Sequence, residues 1–280
     1  MGTALNVAYI VAEVVLGVAA HSLSLLADAG HNLSDVLGLL MAWGAATLST
    51  QRPTLRHTYG YRRSSILAAL FNGLFLLVAL GGVTWEALRR FGQPAEVNGG
   101  TVIAVAAAGI AVNGVTALLF MAGRKGDLNV RAAFVHMVGD ATVSAGVVLA
   151  GVAIAFTGWW WLDPAVSLVI VAIIFLGTWG LLRSAIDLSM DAVPEGIDSA
   201  KVRACLHQLP GVRDVHDLHI WPMSTTETAL TAHLVVPNYS GDEALIRGAI
   251  HALEAFGIEH VTLQVERGEH SCHLAPDEVV

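Results

Sequence analysis

The sequence predicts a membrane α-helical fold: six transmembrane helices, followed by a small α+β domain of α-β-β-α-β order. Three observations carry this prediction. The 280-residue chain is 55% hydrophobic and 14% charged, with a mean hydropathy of +0.62, outside the range of ordinary soluble domains. Six apolar stretches, at 4–20, 24–49, 64–91, 100–122, 131–156 and 163–187, approach or exceed the ~20 residues a helix needs to cross a bilayer. Charge is also partitioned: residues 1–190 hold 10 Lys and Arg against 9 Asp and Glu, whereas residues 191–280 hold 5 against 14. Domain limits of 1–190, 191–267 and a polar tail at 268–280 follow from this change of texture.

The first stretch is the shortest, and with no basic region ahead of it a cleavable leader is not expected. Between the second and third stretches, "STQRPTLRHTYGYRRS" carries Arg52, Arg56, Arg62 and Arg63; Arg124, Lys125 and Arg131 lie between the fourth and fifth. The remaining connections hold only Arg89 and Arg90. Because basic residues collect on the cytoplasmic side, both chain ends are expected there, with "GWWW" at 158–161 in the outer aromatic belt. The 28 glycines suit close helix approach in a bilayer.

After Met190 the pattern is that of a water-facing domain. "PEGIDSAKVRACLHQLPGV" has helix start and stop signals at Asp198 and Pro210-Gly211. "VRDVHDLHIWPM" and "TETALTAHLVVP" alternate as strands, "SGDEALIRGAIHALEAFG" is an amphipathic helix, and "HVTLQVER" is a third strand. Cys205 and Cys272 are too few for a disulfide framework and are read as reduced thiols.

Four polar residues inside apolar stretches carry the chemistry. The second contains His31 and Asp35, the fifth His136 and Asp140. Both pairs are H-x-x-x-D, and on a helix such residues share a face one turn apart. Two imidazoles and two carboxylates suit tetrahedral Zn²⁺; Mg²⁺ and Ca²⁺ prefer more oxygens. A carboxylate at the bilayer centre costs ~2.5–3.5 kcal/mol on insertion scales, so repeated His-Asp pairs argue for a polar path over structural hydrogen bonds alone. Asp28 is left open between orienting His31 and marking a water-exposed helix end. Glu13 is open between an aqueous cavity and a bond to a neighbouring helix. Asn32, Asn72 and Asn113 read as interhelical hydrogen bonders.

The motifs resemble those of the cation diffusion facilitator family, proton-coupled zinc exporters. The likeness runs through "AEVVLGVAAHSLSLLADAGHNLSD", "HTYGYRRSSILAALFNG", "FVHMVGDA", "LDPAVSLVI", "MDAVPEGID" and "VRDVHDLHIWPMS", in family order. It implies six transmembrane helices, a cytoplasmic ferredoxin-like (metallochaperone-like) domain, a homodimer, and a transport site formed by His31, Asp35, His136 and Asp140. It also implies a cytoplasmic metal site on His216, His233 and Glu266, to which the tail could add Cys272 and His273. A second loop site of the family survives here only as His57, since Thr54 and Tyr61 occupy its other two positions. The histidine-rich loop many members carry is missing from "GRKGDLNVR".

The resulting expectation is a Zn²⁺ efflux transporter, not an enzyme, in a bacterial inner (plasma) membrane, with zinc ions, protons, lipid and a second copy as partners and no nucleic acid. Zn²⁺ is both substrate and ligand of the cytoplasmic domain. Cd²⁺, Co²⁺ or Ni²⁺ as cargo and a membrane-anchored metal sensor are the alternatives. An intramembrane metallohydrolase is disfavoured because H-E-x-x-H is missing and four protein ligands close the coordination shell. No G-x-x-x-x-G-K-[ST] loop offers ATP as a driving force.

Overall fold

The computed structural model describes residues 2–93, 95–121, 128–241 and 243–268. Six long helices come first: α1 (Gly2–Ala19), α2 (Leu23–Ser49), α3 (Ser64–Gly92), α4 (Gly99–Met121), α5 (Leu128–Thr157) and α6 (Leu162–Ser189). Then follow α7 (Ser199–His207), β1 (Asp214–Pro222), β2 (Thr228–Val235), α8 (Glu243–Glu254) and β3 (Ile258–Glu266). The expected order of elements is the observed one.

Four helices are long and apolar enough to cross a membrane among the described residues: α3, α4, residues Phe134–Thr157 of α5, and α6. The described apolar part of α1, Val7–Ala19, is shorter. At 27 residues α2 has the length, but Asp28, His31, Asn32 and Asp35 interrupt its apolar run. Large side chains such as Trp43, Val78, Trp85 and Leu176 are exposed, as they must be where the surrounding solvent is lipid.

The chain forms two compact units, residues 1–40 with 71–180 and residues 41–70 with 181–280; their boundaries fall within α2, α3 and α6. In the first, the core is built from small and β-branched residues including Ala27, Val102, Ala106, Val147 and Ile170. Here α4 and α5 come so close that a Cβ on Gly99 would lie 2.7 Å from the Gly151 carbonyl oxygen. Only glycine lets the two backbones meet in this way.

In the second unit β1 pairs antiparallel with β2, and β2 parallel with β3, in the order β1-β2-β3. The parallel pair requires a crossover, which α8 supplies. Val202 and Leu206 of α7 and Ala249 and Leu253 of α8 pack on Leu230 and Leu234 of the sheet, all buried. Asp198 caps α7: its side chain accepts from the backbone N–H groups of Ala200 (3.0 Å) and Lys201 (3.2 Å). The alternation of β1 breaks where the register with β2 shifts between His216 and His219, at Asp217, whose φ of +50° is left-handed.

Candidate metal sites

On α2 the four-residue spacing places His31 and Asp35 on one face, and on α5 it does the same for His136 and Asp140. The two faces meet. His31 Nε2 lies 3.7 Å from Asp35 Oδ2 and 3.6 Å from Asp140 Oδ1, while His136 Nε2 lies 3.1 Å from Asp35 Oδ2 and 3.5 Å from Asp140 Oδ2. Each imidazole therefore faces both carboxylates in an alternating ring, with the imidazole ring centres 5.8 Å apart and the two planes inclined at 74°. Donor atoms of His31, Asp35 and His136 lie within 4.8 Å of one another, the spacing a single ion could bridge. Asp140 is 5% exposed, whereas the His136 and Asp35 side chains are 42% and 36% exposed, so the ring is closed on one side and open on the other.

Asp140 Oδ2 and His31 Nδ1 are buried without a hydrogen-bond partner. Asp28, left open by the sequence, is neither a bonded partner of His31 nor a water-exposed helix end. It is 2% exposed and accepts a hydrogen bond from Ser144 Oγ of α5 at 3.3 Å. Glu13 is fully buried and bonds neighbouring groups: Tyr9 Oη donates to Oε1 at 3.1 Å and Asn32 Nδ2 to Oε2 at 3.4 Å. Asn72 of α3 acts as expected, accepting from Ser34 Oγ of α2 at 3.3 Å. These contacts surround α2 on the residues next to its two ligating candidates.

A contact that sequence reasoning missed lies at the start of α2. Asp163, the second residue of α6, is 1% exposed and accepts from Ser22 Oγ and Ser24 Oγ, each at 2.7 Å. The N–H of Leu23 donates to it at 2.7 Å and that of Ser24 at 3.3 Å. Arg90 Nη1 of α3 stands 3.8 Å away and also donates to the His21 carbonyl. An Asp-Pro at the head of an apolar stretch signals a helix start; nothing local signals a partner 141 residues earlier.

The second cluster belongs to the sheet. His216 and His233 are register partners on β1 and β2, and Glu266 ends β3. Glu266 Oε1 lies 3.0 Å from His233 Nδ1, and its Oε2 lies 3.5 Å from His216 Nε2. The three donors fall within 4.8 Å of one another. His216 is buried, and neither ring nitrogen makes a hydrogen bond, a costly arrangement for an imidazole that holds nothing. The bulge turns Asp217 onto the same group: its Oδ2 is 3.3 Å from His233 Nε2 and its Oδ1 3.0 Å from His219 Nε2.

Of the other histidines, His260 packs edge-on against Tyr59, and His251 is exposed beside Glu254. His57 stacks on Tyr61 at 4.8 Å and belongs to no three-donor cluster among the described residues. Cys272 and His273 lie outside the described residues.

Comparison with known proteins matches the chain to two family models. The family model described as "Cation efflux transmembrane domain" matches residues 1–188, and that described as "Cation efflux protein, cytoplasmic domain" matches residues 194–268. The chain is 36% identical over 272 residues to the zinc transporter ZitB of Escherichia coli, covering 96% of this chain and 86% of that protein. It is 35% identical over 268 residues to the cadmium, cobalt and zinc/H(+)-K(+) antiporter of Bacillus subtilis, covering 94% and 86%. The metal cation efflux system protein CzcD of Cupriavidus metallidurans is 34% identical over 265 residues, covering 94% and 84%.

Proposed function

The chain belongs to the cation efflux family, and from that premise we propose that it exports divalent metal cations, Zn²⁺ first among them, from the cytoplasm in exchange for protons. The observation that carries this reading is the ring of His31, Asp35, His136 and Asp140. Two nitrogens and two oxygens on facing helices form a borderline-soft, four-donor set suited to tetrahedral zinc and short of the oxygens that Mg²⁺ or Ca²⁺ require.

Exchange with protons follows from the donor chemistry. An imidazole ligates only when neutral, so zinc entering the ring displaces protons from His31 and His136, and protons returning from the far side expel the ion. A divalent ion replacing two protons leaves the charge of the ring unchanged, which keeps the cost of holding it inside the membrane nearly constant through the cycle. The closed shell also argues against hydrolytic chemistry, since it leaves no position for an activated water.

Residues 1–190 are proposed as the membrane domain, with both termini in the cytoplasm of a bacterial cell and the protein in its inner membrane. Residues 191–267 are proposed as a cytoplasmic domain through which two copies pair. Its negative charge raises the local cation concentration, and His216, His233 and Glu266 form a second zinc site whose occupancy biases the transporter's conformational equilibrium. Tail residues Cys272 and His273 add softer donors to it.

The test is zinc flux into proteoliposomes under an imposed pH gradient. Gradient-dependent flux in the wild type, lost in His31→Ala and Asp140→Ala at equal reconstitution, is the expected result. Flux that either variant retains at the wild-type rate refutes the site, and a wild type without zinc flux refutes the function.

A further inference from the structure

Buried in the first unit is a carboxylate that the exchange chemistry does not use, and the contacts of Asp163 define what it does. The first turn of any helix leaves backbone N–H groups without internal partners, and inside a membrane each such group costs several kcal/mol. At the start of α2 this need is met by another helix. Asp163 of α6 accepts from the N–H groups of Leu23 and Ser24 and from the hydroxyls of Ser22 and Ser24. Arg90 of α3 stands against the same carboxylate and reaches the His21 carbonyl in the turn between α1 and α2. His21 itself has a left-handed φ of +53°, so this turn is held in one conformation by contacts beyond its own residues.

We propose that Asp163 is a positioning residue for the intramembrane metal site: by capping α2 from α6, it fixes the height and tilt of the helix that carries His31 and Asp35. The inference rests on the reading of the His31–Asp140 ring as the metal site. His31 and Asp35 follow Leu23 by eight and twelve residues, or about 12 and 18 Å along the axis at ~1.5 Å per residue. A tilt of only ~5° about the capped end would carry Asp35 sideways by ~1.5 Å at that rise. Ligand distances at a zinc site tolerate ~0.2 Å. The cap therefore controls a coordinate to which the ring is sensitive, although Asp163 touches none of the four ligating residues. A carboxylate suits the position better than an amide because it answers both the positive end of the helix dipole and Arg90.

The experiment uses the full chain in detergent with Co²⁺ as the probe, since tetrahedral Co²⁺ has intense visible bands that fade and shift when the geometry is distorted. His216→Ala, His233→Ala, Cys272→Ala and His273→Ala are built into every sample so that the spectrum reports the membrane ring alone. Asp163→Asn is expected to elute with the parent on gel filtration, to bind Co²⁺ several-fold more weakly, short of the ~10–100-fold that losing a direct partner of a metal ligand costs, and to show weakened, shifted bands. In flux it should raise the half-saturating zinc concentration while approaching the parent rate at saturation. Ser24→Ala, which removes one donor and leaves Arg90 paired, should move both readouts in the same direction by less, and it serves as the test should Asp163→Asn not fold. Parent-like bands and affinity in the folded variant, or a lower maximal rate with half-saturation unchanged, overturn the positioning role. His31→Ala measured alongside separates the two readings: bands lost there but kept in Asp163→Asn sink the positioning role alone, and bands kept in both sink the ring as the metal site as well.

Discussion

Gly38 lies one helical turn beyond Asp35 on α2, and its lack of a side chain is used at once: a Cβ built there would lie 2.8 Å from Asn72 Nδ2, 3.1 Å from Cγ and 3.3 Å from Oδ1. Ordinary contact begins at 3.4 Å, so Gly38→Ala must find about 0.6 Å. The space can come from moving α2 away from α3, which exceeds the ~0.2 Å tolerance of a zinc ligand set. It can instead come from turning Asn72 aside, which breaks its hydrogen bond from Ser34 Oγ, one residue before Asp35. Because the close atoms are the end of the Asn72 side chain and no backbone is met, the cost lies at the low end of overpacking, ~1 kcal/mol. If that strain falls on the metal-competent arrangement, zinc binding weakens by about 5-fold, at ~1.4 kcal/mol per factor of ten. The assay is the half-saturating zinc concentration in reconstituted flux, measured for Gly38→Ala and for Gly38→Ala with Asn72→Ala. In the double variant the space is restored and Ser34 can turn its hydroxyl to a backbone carbonyl of the preceding turn, so recovery toward wild type is expected. Normal zinc dependence in the single variant, or a double variant no better than the single, would refute the reasoning.

Three further outcomes follow from other parts of the chain. His233→Ala removes the central member of the sheet cluster, standing 3.0 Å from Glu266 and 3.3 Å from Asp217; equilibrium dialysis should find one fewer zinc per chain, with the intramembrane ring still loading. Leu234→Ala empties a fully buried position between the sheet and its helices, at a cost of ~2–5 kcal/mol. That is a large share of the stability of so small a domain, so limited proteolysis should cut within residues 199–266 at lower temperature than in the wild type. Asp198 has its carboxyl held below the usual value, chiefly by the backbone N–H of Lys201 and also by the Lys201 side chain and the Ala200 N–H. Because the folded state favours its ionised form, the cap's contribution is complete above the unfolded value near 3.8 and is lost as pH falls through the lower folded value. Asp198→Asn keeps a capping oxygen that does not titrate, so melts recorded from pH 6 downward should show a shallower acid loss than the wild type; an unchanged acid limb would contradict this.

What the sequence revealed and what it hid divide along one physical line. His31 with Asp35 and His136 with Asp140 were legible as neighbours because residues four apart on one helix share a face, and they stood out as candidate ligands because a carboxylate in an apolar stretch has few structural excuses. The sheet histidines were legible as neighbours because consecutive strands pair, and His216 and His233 are register partners. Most of the hidden contacts join residues far apart in the chain with no period linking them. The Asp163 carboxylate answers donors 139–141 residues earlier, and Ser144 reaches Asp28 across 116 residues. Asp217 was hidden for a different reason: a bulge cannot be read from alternating side chains, yet it is the bulge that turns this carboxylate toward His233 and His219. The same line explains why α2, with the length of a span, falls short of the hydropathy of one. Local preference and global placement conflict in that helix more than in its neighbours, and natural sequences tolerate such conflict where function requires it. The polar groups that make α2 a poor membrane helix are tied to Glu13 of α1, Asn72 of α3, Ser144 and His136 of α5 and Asp163 of α6. The bundle holds in place the helix that lipid alone would hold least well, and it does so around the ring where the cation is proposed to bind.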